Sequence, residues 1–199
     1  MNILVITTGG TIGSVLQADP RRPPKFVDMP LPGHDFVRDV LAKEAGSFCR
    51  IISNEPLDSK LIDDPYRYAL LNIIETAPEK RILITHGTDT ILQTAAFFYS
   101  QFATNPALAG KIIFLTGSMI PLANGQESDG YLNLKLSIEQ LRRPAVPDRS
   151  TSTYIVLCDY ERSDDTSSAW KPRLYPYHPG QYEKFTADDG RYNRLRRTG

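Results

Sequence analysis

Apolar positions along this chain fall into two kinds of run that take turns. The short, nearly unbroken runs are MNILVI at the start, then CRIISNEP, RILITHG, KIIFLTGS and TYIVLCDY. Each is brief and rich in Ile, Leu, Val or Thr, the pattern of a strand covered on both faces. Between them lie longer stretches with apolar residues at helical spacing. HDFVRDVLAKEAG puts Phe36, Val37, Val40 and Leu41 on one face and ends at Gly46, a C-cap residue. DDPYRYALLNIIETA opens on Asp and Pro, as helix N-termini do, and DTILQTAAFFYSQFA and DGYLNLKLSIEQLRR follow. Strands alternating with helices predict an α/β fold, a three-layer doubly wound and mostly parallel sheet. Right-handed crossovers then place every strand's carboxyl end along one edge.

The unusual residues fall on that edge. TTGGT follows the first strand, THGTDT the third and TGSMIPLANGQESDG the fourth. Ligands bind such sheets at the carboxyl ends of the strands, near the topological switch point. Glycines there let backbone N–H groups approach a ligand, and a following helix N-terminus favours negative charge. Thr11 offers a hydroxyl two glycines past the strand, and Thr88 a second one beside the Asp89 carboxylate. A threonine hydroxyl attacks a carbonyl only when something removes its proton. Taken singly, TTGGT also reads as an ordinary strand–helix turn and HGTDT as a helix cap; together on one edge they read as a site. Thr7 and Thr8 are expected to bond within the turn.

Two stretches break the alternation. Residues 17–33, QADPRRPPKFVDMPLPG, hold five prolines and admit neither a regular helix nor a central strand. Such a long loop in a compact domain is usually functional or mobile. From about Ser163 the chain turns rich in Pro, Tyr and polar residues and ends in the basic tail GRYNRLRRTG, read as a mobile terminus. The domain reading is therefore residues 1–173 as one α/β domain, with 174–199 as a Tyr/Pro-rich segment and tail that form no separate domain.

The totals narrow the function classes. The 199 residues carry 23 basic and 23 acidic side chains, so no overall field draws the protein to nucleic acid or an anionic membrane. The first residues lack a basic segment, and their apolar run is too short for a signal peptide or a membrane span, so a cytoplasmic protein is expected. Cys49 and Cys158 match no metal or redox spacing and read as reduced thiols. His34, His86 and His178 are too scattered for a zinc site, and no metal or organic cofactor is expected.

ITTGGTIGS, ILITHGTDTILQTAAFF and FLTGSMIPLANGQESDGYLN, in this order, resemble the bacterial-type L-asparaginases, and the last stretch is similar to the type I branch. The resemblance covers about residues 1–171, the family's larger amino-terminal domain. It implies hydrolysis of a side-chain amide to a carboxylate and ammonia, through an acyl-enzyme on a threonine. Thr11 matches that nucleophile, and Thr88 the second threonine, which a Lys–Asp pair activates or holds with its water. Asp89 matches the aspartate of that pair and the carboxylate that grips the substrate's α-ammonium. Gly10, Gly87 and Ser118 fall in the binding loops, and the N–H groups around Gly87 and Thr88 would bind the oxyanion or the α-carboxylate. Asp58 and Ser59 fall where the family places a substrate-binding serine. Lys171, twelve residues past Asp159, is the choice for the lysine, with Lys184 the alternative. A lysine serves as a base only when desolvated or crowded by positive charge.

Two departures qualify the resemblance. The family's mobile lid carries a tyrosine that contacts the nucleophile, whereas QADPRRPPKFVD has none and Phe26 stands nearest. From its length, the chain is expected to lack the family's smaller carboxyl-terminal domain, which completes the neighbour's site in a close dimer. Three readings follow: an amidohydrolase acting on asparagine or a related small amide, an inactive amino-acid-binding module, or a subunit that needs a partner chain. The neutral charge argues against direct tRNA contact. The apolar face of ILQTAAFFYSQF points to a homodimer or homotetramer.

Overall fold

The computed structural model describes residues 2–17, 25–28, 32–144, 150–161, 169–186 and 193–198. Its centre is a six-stranded sheet built from β1 (Ile3–Gly9), β4 (Cys49–Leu57), β5 (Arg81–Thr85), β6 (Ile112–Thr116), β7 (Thr153–Glu161) and β8 (Ala169–Pro176). The order is β4-β1-β5-β6-β7-β8, parallel throughout except that β8 runs antiparallel to β7. Two hairpins stand apart: β2 (Ser14–Gln17) with β3 (Lys25–Asp28), and β9 (Tyr182–Thr186) with β10 (Asn193–Arg197).

Why the central strands form is visible in their side chains. All seven residues of β1 and all five of β5 are buried, because both faces of the sheet are covered. Leu4, Ile6, Ile82, Ile84, Ile113 and Leu115 face one side, where α2 (Asp64–Thr76) supplies Leu70 and Ile74 and α3 (Ile91–Thr104) supplies Ala95 and Phe98. Ile3, Val5, Leu83 and Phe114 face the other, against Val37 and Leu41 of α1 (Pro32–Ala45) and Leu134 and Ile138 of α4 (Asp129–Leu141). Strand period two thus assigns alternate residues to two cores, and the predicted three-layer α/β fold is borne out.

The ends of these elements follow local chemistry. Asp63 caps α2 by accepting the Tyr66 N–H, with Pro65 in the first turn. Ser128 caps α4 through the Gly130 N–H. Beyond Ser163 the described residues are more regular than the composition suggests. In β8, Pro172 and Pro176 occupy the outermost strand, where a missing N–H costs little. Leu174 packs on one core while Tyr175 and the buried Tyr177 pack on the other. Within the tail, read above as a mobile terminus, Asn193–Arg197 pairs its backbone along β9.

Taken in chain order, the five parallel strands lie 2-1-3-4-5 across the sheet. Connections from β1 and β5 therefore leave in opposite directions, and the switch point opens between their carboxyl ends. There the chain places TGGT and HGTD.

Candidate active site

Glycine contacts build the site. Gly9 and Gly10 have φ of 97° and 77°, in the region that favours glycine, and carry the chain sharply off β1. A Cβ on Gly10 would lie 2.5 Å from the Cα and 2.6 Å from the N of Gly87, so the turn after β1 rests directly on the backbone of the turn after β5. A Cβ on Gly87 would in turn lie 2.5 Å from Ser59 Oγ, which brings the short turn Ser59–Leu61 after β4 into the same cluster. Thr90 Oγ1 donates to the Ser59 carbonyl at 2.6 Å and ties that turn to the start of α3. The His86 N–H donates to the Thr116 carbonyl at 2.7 Å and ties the β5 turn to β6.

These contacts leave a cleft of about 160 Å³, lined by Gly10, Thr11, Ser14, Asp58, Ser59, Gly87, Thr88 and Asp89. Seven residues predicted from the sequence thus meet at the switch point: Gly10, Thr11, Asp58, Ser59, Gly87, Thr88 and Asp89. Thr11 begins a single tight turn, and Ser14 Oγ donates to the Gly10 carbonyl at 3.0 Å to hold it. Asp58 accepts the Lys60 N–H at 3.0 Å, while the Lys60 ammonium stands 3.7 Å from an Asp89 carboxylate oxygen at the exposed rim. The Thr88 hydroxyl reaches Met119 Sδ at 3.8 Å, a weak acceptor.

Met119 is held from below. The Asp129 carboxylate, buried at the start of α4, accepts the N–H groups of Met119 and Ile120 at 2.8–3.1 Å. Burial pushes the Asp129 acid up to about 6, against the downward pull of those hydrogen bonds. Ser118 lies buried beside Gly130 rather than in the cleft lining, and its hydroxyl has no partner among the described residues.

Lys171 stands elsewhere. It is exposed on β8, opposite Asp159 across the outer hairpin and three strands along from β5, and it is not among the residues lining the cleft. Lys184 belongs to β9, with its side chain outside the described residues, as is the side chain of Phe26 in β3; residues 18–24 of the expected lid also fall outside them. Among the described residues no three His, Cys, Asp or Glu side chains gather to hold a metal. No described helix is long and apolar enough to cross a membrane.

Ser14, Lys60, Met119 and His86 join the site without being singled out by the sequence pattern. The position of Ser14 four residues after Gly10 was the one available signal; the others depend on contacts between separate turns. Thr8 also behaves differently from expectation: its hydroxyl donates across to the Thr85 carbonyl at 2.7 Å, while Thr7 Oγ1 has no partner among the described residues.

Known proteins share this fold. Among solved structures, the thermostable L-asparaginase from Thermococcus kodakarensis is 26% identical, with a TM-score of 0.55 over 78% of this chain and 43% of that one. The probable cytoplasmic L-asparaginase from Campylobacter jejuni matches with a TM-score of 0.61 over 77% of this chain and 45% of that one; at 20% identity it speaks for the fold. The chain thus spans under half the length of either. No curated protein sequence gives a significant match. The family model described as "Asparaginase, N-terminal" matches residues 2–157, nearly the whole run from β1 to β7 that carries the cleft, and so the chain belongs to the asparaginase family.

Proposed function

We propose that the cleft is the amino-terminal part of an amidohydrolase site that cleaves the side-chain amide of asparagine or a related small amide. In this reading Thr11 Oγ1 attacks the amide carbonyl carbon. The C–N bond breaks, the nitrogen takes a proton and leaves as ammonia, and the acyl group remains on Thr11 as an ester. Water then cleaves the ester, giving the carboxylate product and restoring the hydroxyl. Thr88 orients that water or passes its proton. Asp89 receives the substrate's α-ammonium at the rim, and Asp58 and Ser59 bind the remaining polar groups. Gly10 and Gly87 bring backbone close to the substrate; Ser118, expected to bind substrate, lies outside the lining and takes no part in this reading. Lys171, the lysine that the resemblance implies for the Thr88–Asp89 pair, stands on the outer hairpin outside the lining and is given no step in this reading.

The observation that carries this reading is the meeting of Thr11 and Thr88 in one small cleft at the switch point. Its volume is below the roughly 300 Å³ typical of sites for drug-sized ligands, which suits a small amino acid and not a nucleotide. A cytoplasmic location and a homodimer or homotetramer belong to the same proposal, the first supported by two free thiols. One observation favours the second reading, a binding module or a site finished by another chain: the described lining contains no lysine or histidine to act as base.

A titration of the isotopically labelled chain with L-aspartate, followed by amide NMR, tests the site. The proposal expects the amide signals of Gly10, Thr11, Gly87, Thr88 and Asp89 to move together. Movement confined to other parts of the chain would overturn it.

A further inference from the structure

The HGTD turn is backed by a buried chain of hydrogen bonds whose proton order can be worked out from the groups themselves. Arg67 of α2 is a donor only, and its Nε–H donates to Thr94 Oγ1 of α3 at 3.2 Å. Its other nitrogens are engaged with the Ile62 carbonyl at 2.9 Å and the Asp64 carboxylate at 2.8 Å. Thr94 has one proton, and His86 Nε2 lies 3.0 Å from its oxygen. The Gly87 carbonyl beside Nδ1 can only accept, so in the neutral ring Nε2 is the bare nitrogen and takes the Thr94 proton, while the Thr94 oxygen accepts from Arg67. The ring proton sits on Nδ1 and donates to the Gly87 carbonyl at 2.7 Å. Thr94 and His86 are fully buried, and Arg67 nearly so. Burial, with the Arg67 charge acting the same way, pushes the imidazole down to about 4, so the ring is neutral at ordinary pH.

We propose that Arg67, Thr94 and His86 act as a positioning relay that holds His86 as its Nδ1–H form and thereby fixes and polarises the Gly87–Thr88 peptide of the cleft. Gly87 cannot be restrained by a side chain of its own, since Ser59 occupies the space where a Cβ would stand. The restraint comes instead through its carbonyl. That carbonyl and the Thr88 N–H are two ends of one peptide unit. A hydrogen bond accepted at the oxygen draws charge along the unit and makes the N–H a stronger donor. The relay therefore serves the oxyanion or carboxylate contact assigned above to the Thr88 N–H, and in that respect it rests on the proposed function. His86 and Thr94 touch no substrate in this scheme; they act through the peptide.

The test uses the full labelled chain and the variants His86→Leu, His86→Asn and Thr94→Val. Ring-nitrogen NMR of the wild type should show a protonated Nδ1 and a bare Nε2 from pH 5.5 to 8; an Nε2–H form overturns the relay. In asparagine hydrolysis His86→Leu should lower kcat about tenfold while KM changes less than about threefold, the signature of a contact strengthened in the transition state. His86→Asn, whose Nδ2–H can still donate to the Gly87 carbonyl, should recover most of that loss. A structural role alone would leave the two His86 variants equal, and that result overturns the proposal. If the wild type does not hydrolyse asparagine, the proposed function fails while the relay is still read from the Thr88 amide signal. It should move in His86→Leu and Thr94→Val and stay in place in His86→Asn; an unmoved signal in all three refutes the relay. Thr94→Val removes one hydroxyl at nearly constant shape and carries the test if His86→Leu does not fold.

Discussion

Substituting Gly10 by alanine probes the contact on which the cleft is built. The backbone there has φ 77° and ψ 179°, a conformation essentially reserved for glycine, and forcing another residue into it costs on the order of 1–3 kcal/mol. The added methyl would also stand 2.5–2.6 Å from backbone atoms of Gly87, which cannot rotate away as a side chain would. Overpacking of that kind adds another ~1–3 kcal/mol, so Gly10→Ala should cost about 4 kcal/mol in all. Gly46→Ala is the control. Its φ is also positive, at 57°, but a Cβ there meets nothing within 4 Å. Left-handed strain, partly offset by the stiffer unfolded chain, should cost about 1 kcal/mol or less. Thermal unfolding of both variants decides the matter: a chain of this size loses roughly 2–4 °C per kcal/mol, so expect a fall of about 12 °C for Gly10→Ala and about 2 °C for Gly46→Ala. Equal shifts would refute the claim that close backbone approach, and not φ alone, requires glycine at the site.

Other outcomes follow from single contacts. Thr8→Val deletes the buried hydrogen bond to the Thr85 carbonyl and should cost about 1 kcal/mol in denaturant unfolding, whereas Thr7→Val removes a buried hydroxyl with no partner among the described residues and should be neutral or stabilising. Asp129→Asn should show a pH-dependent gain. The folded acid has a pKa of about 6 against 3.8 in the unfolded chain, so its stabilising contribution is full below 3.8 and lost as pH rises through 6. The stability of the variant minus that of the wild type should therefore rise between pH 4 and pH 7; a flat difference would show that the buried carboxylate is not strained by its surroundings.

Much of this arrangement was legible in the chain. The five parallel strands and four helices announce themselves because a sheet covered on both faces demands unbroken apolar runs, and its helices demand a 3.6-residue stripe. The meeting of Thr11, Thr88, Asp89 and their glycines was legible because alternating strands and helices bring the ends of the first and third strands to one edge of the sheet. What stayed hidden depends on neighbours distant in sequence. The outer strand Ala169–Pro176 was obscured by Pro172 and Pro176, which are tolerated only because that strand is an edge. His86 looked like one of three scattered histidines until α2 and α3 brought Arg67 and Thr94 against it. Lys60 and Met119 likewise acquire meaning only when the turns after β4, β5 and β6 converge.

The central claim is that the Thr11 hydroxyl attacks a small amide in this cleft, and the most direct measurement is ammonia release from L-asparagine by the full chain with Thr11→Ala beside it. Turnover should fall to background in the variant while L-aspartate still binds to it. Turnover that survives the loss of the Thr11 hydroxyl, or none from a wild-type chain whose cleft binds L-aspartate, would contradict it.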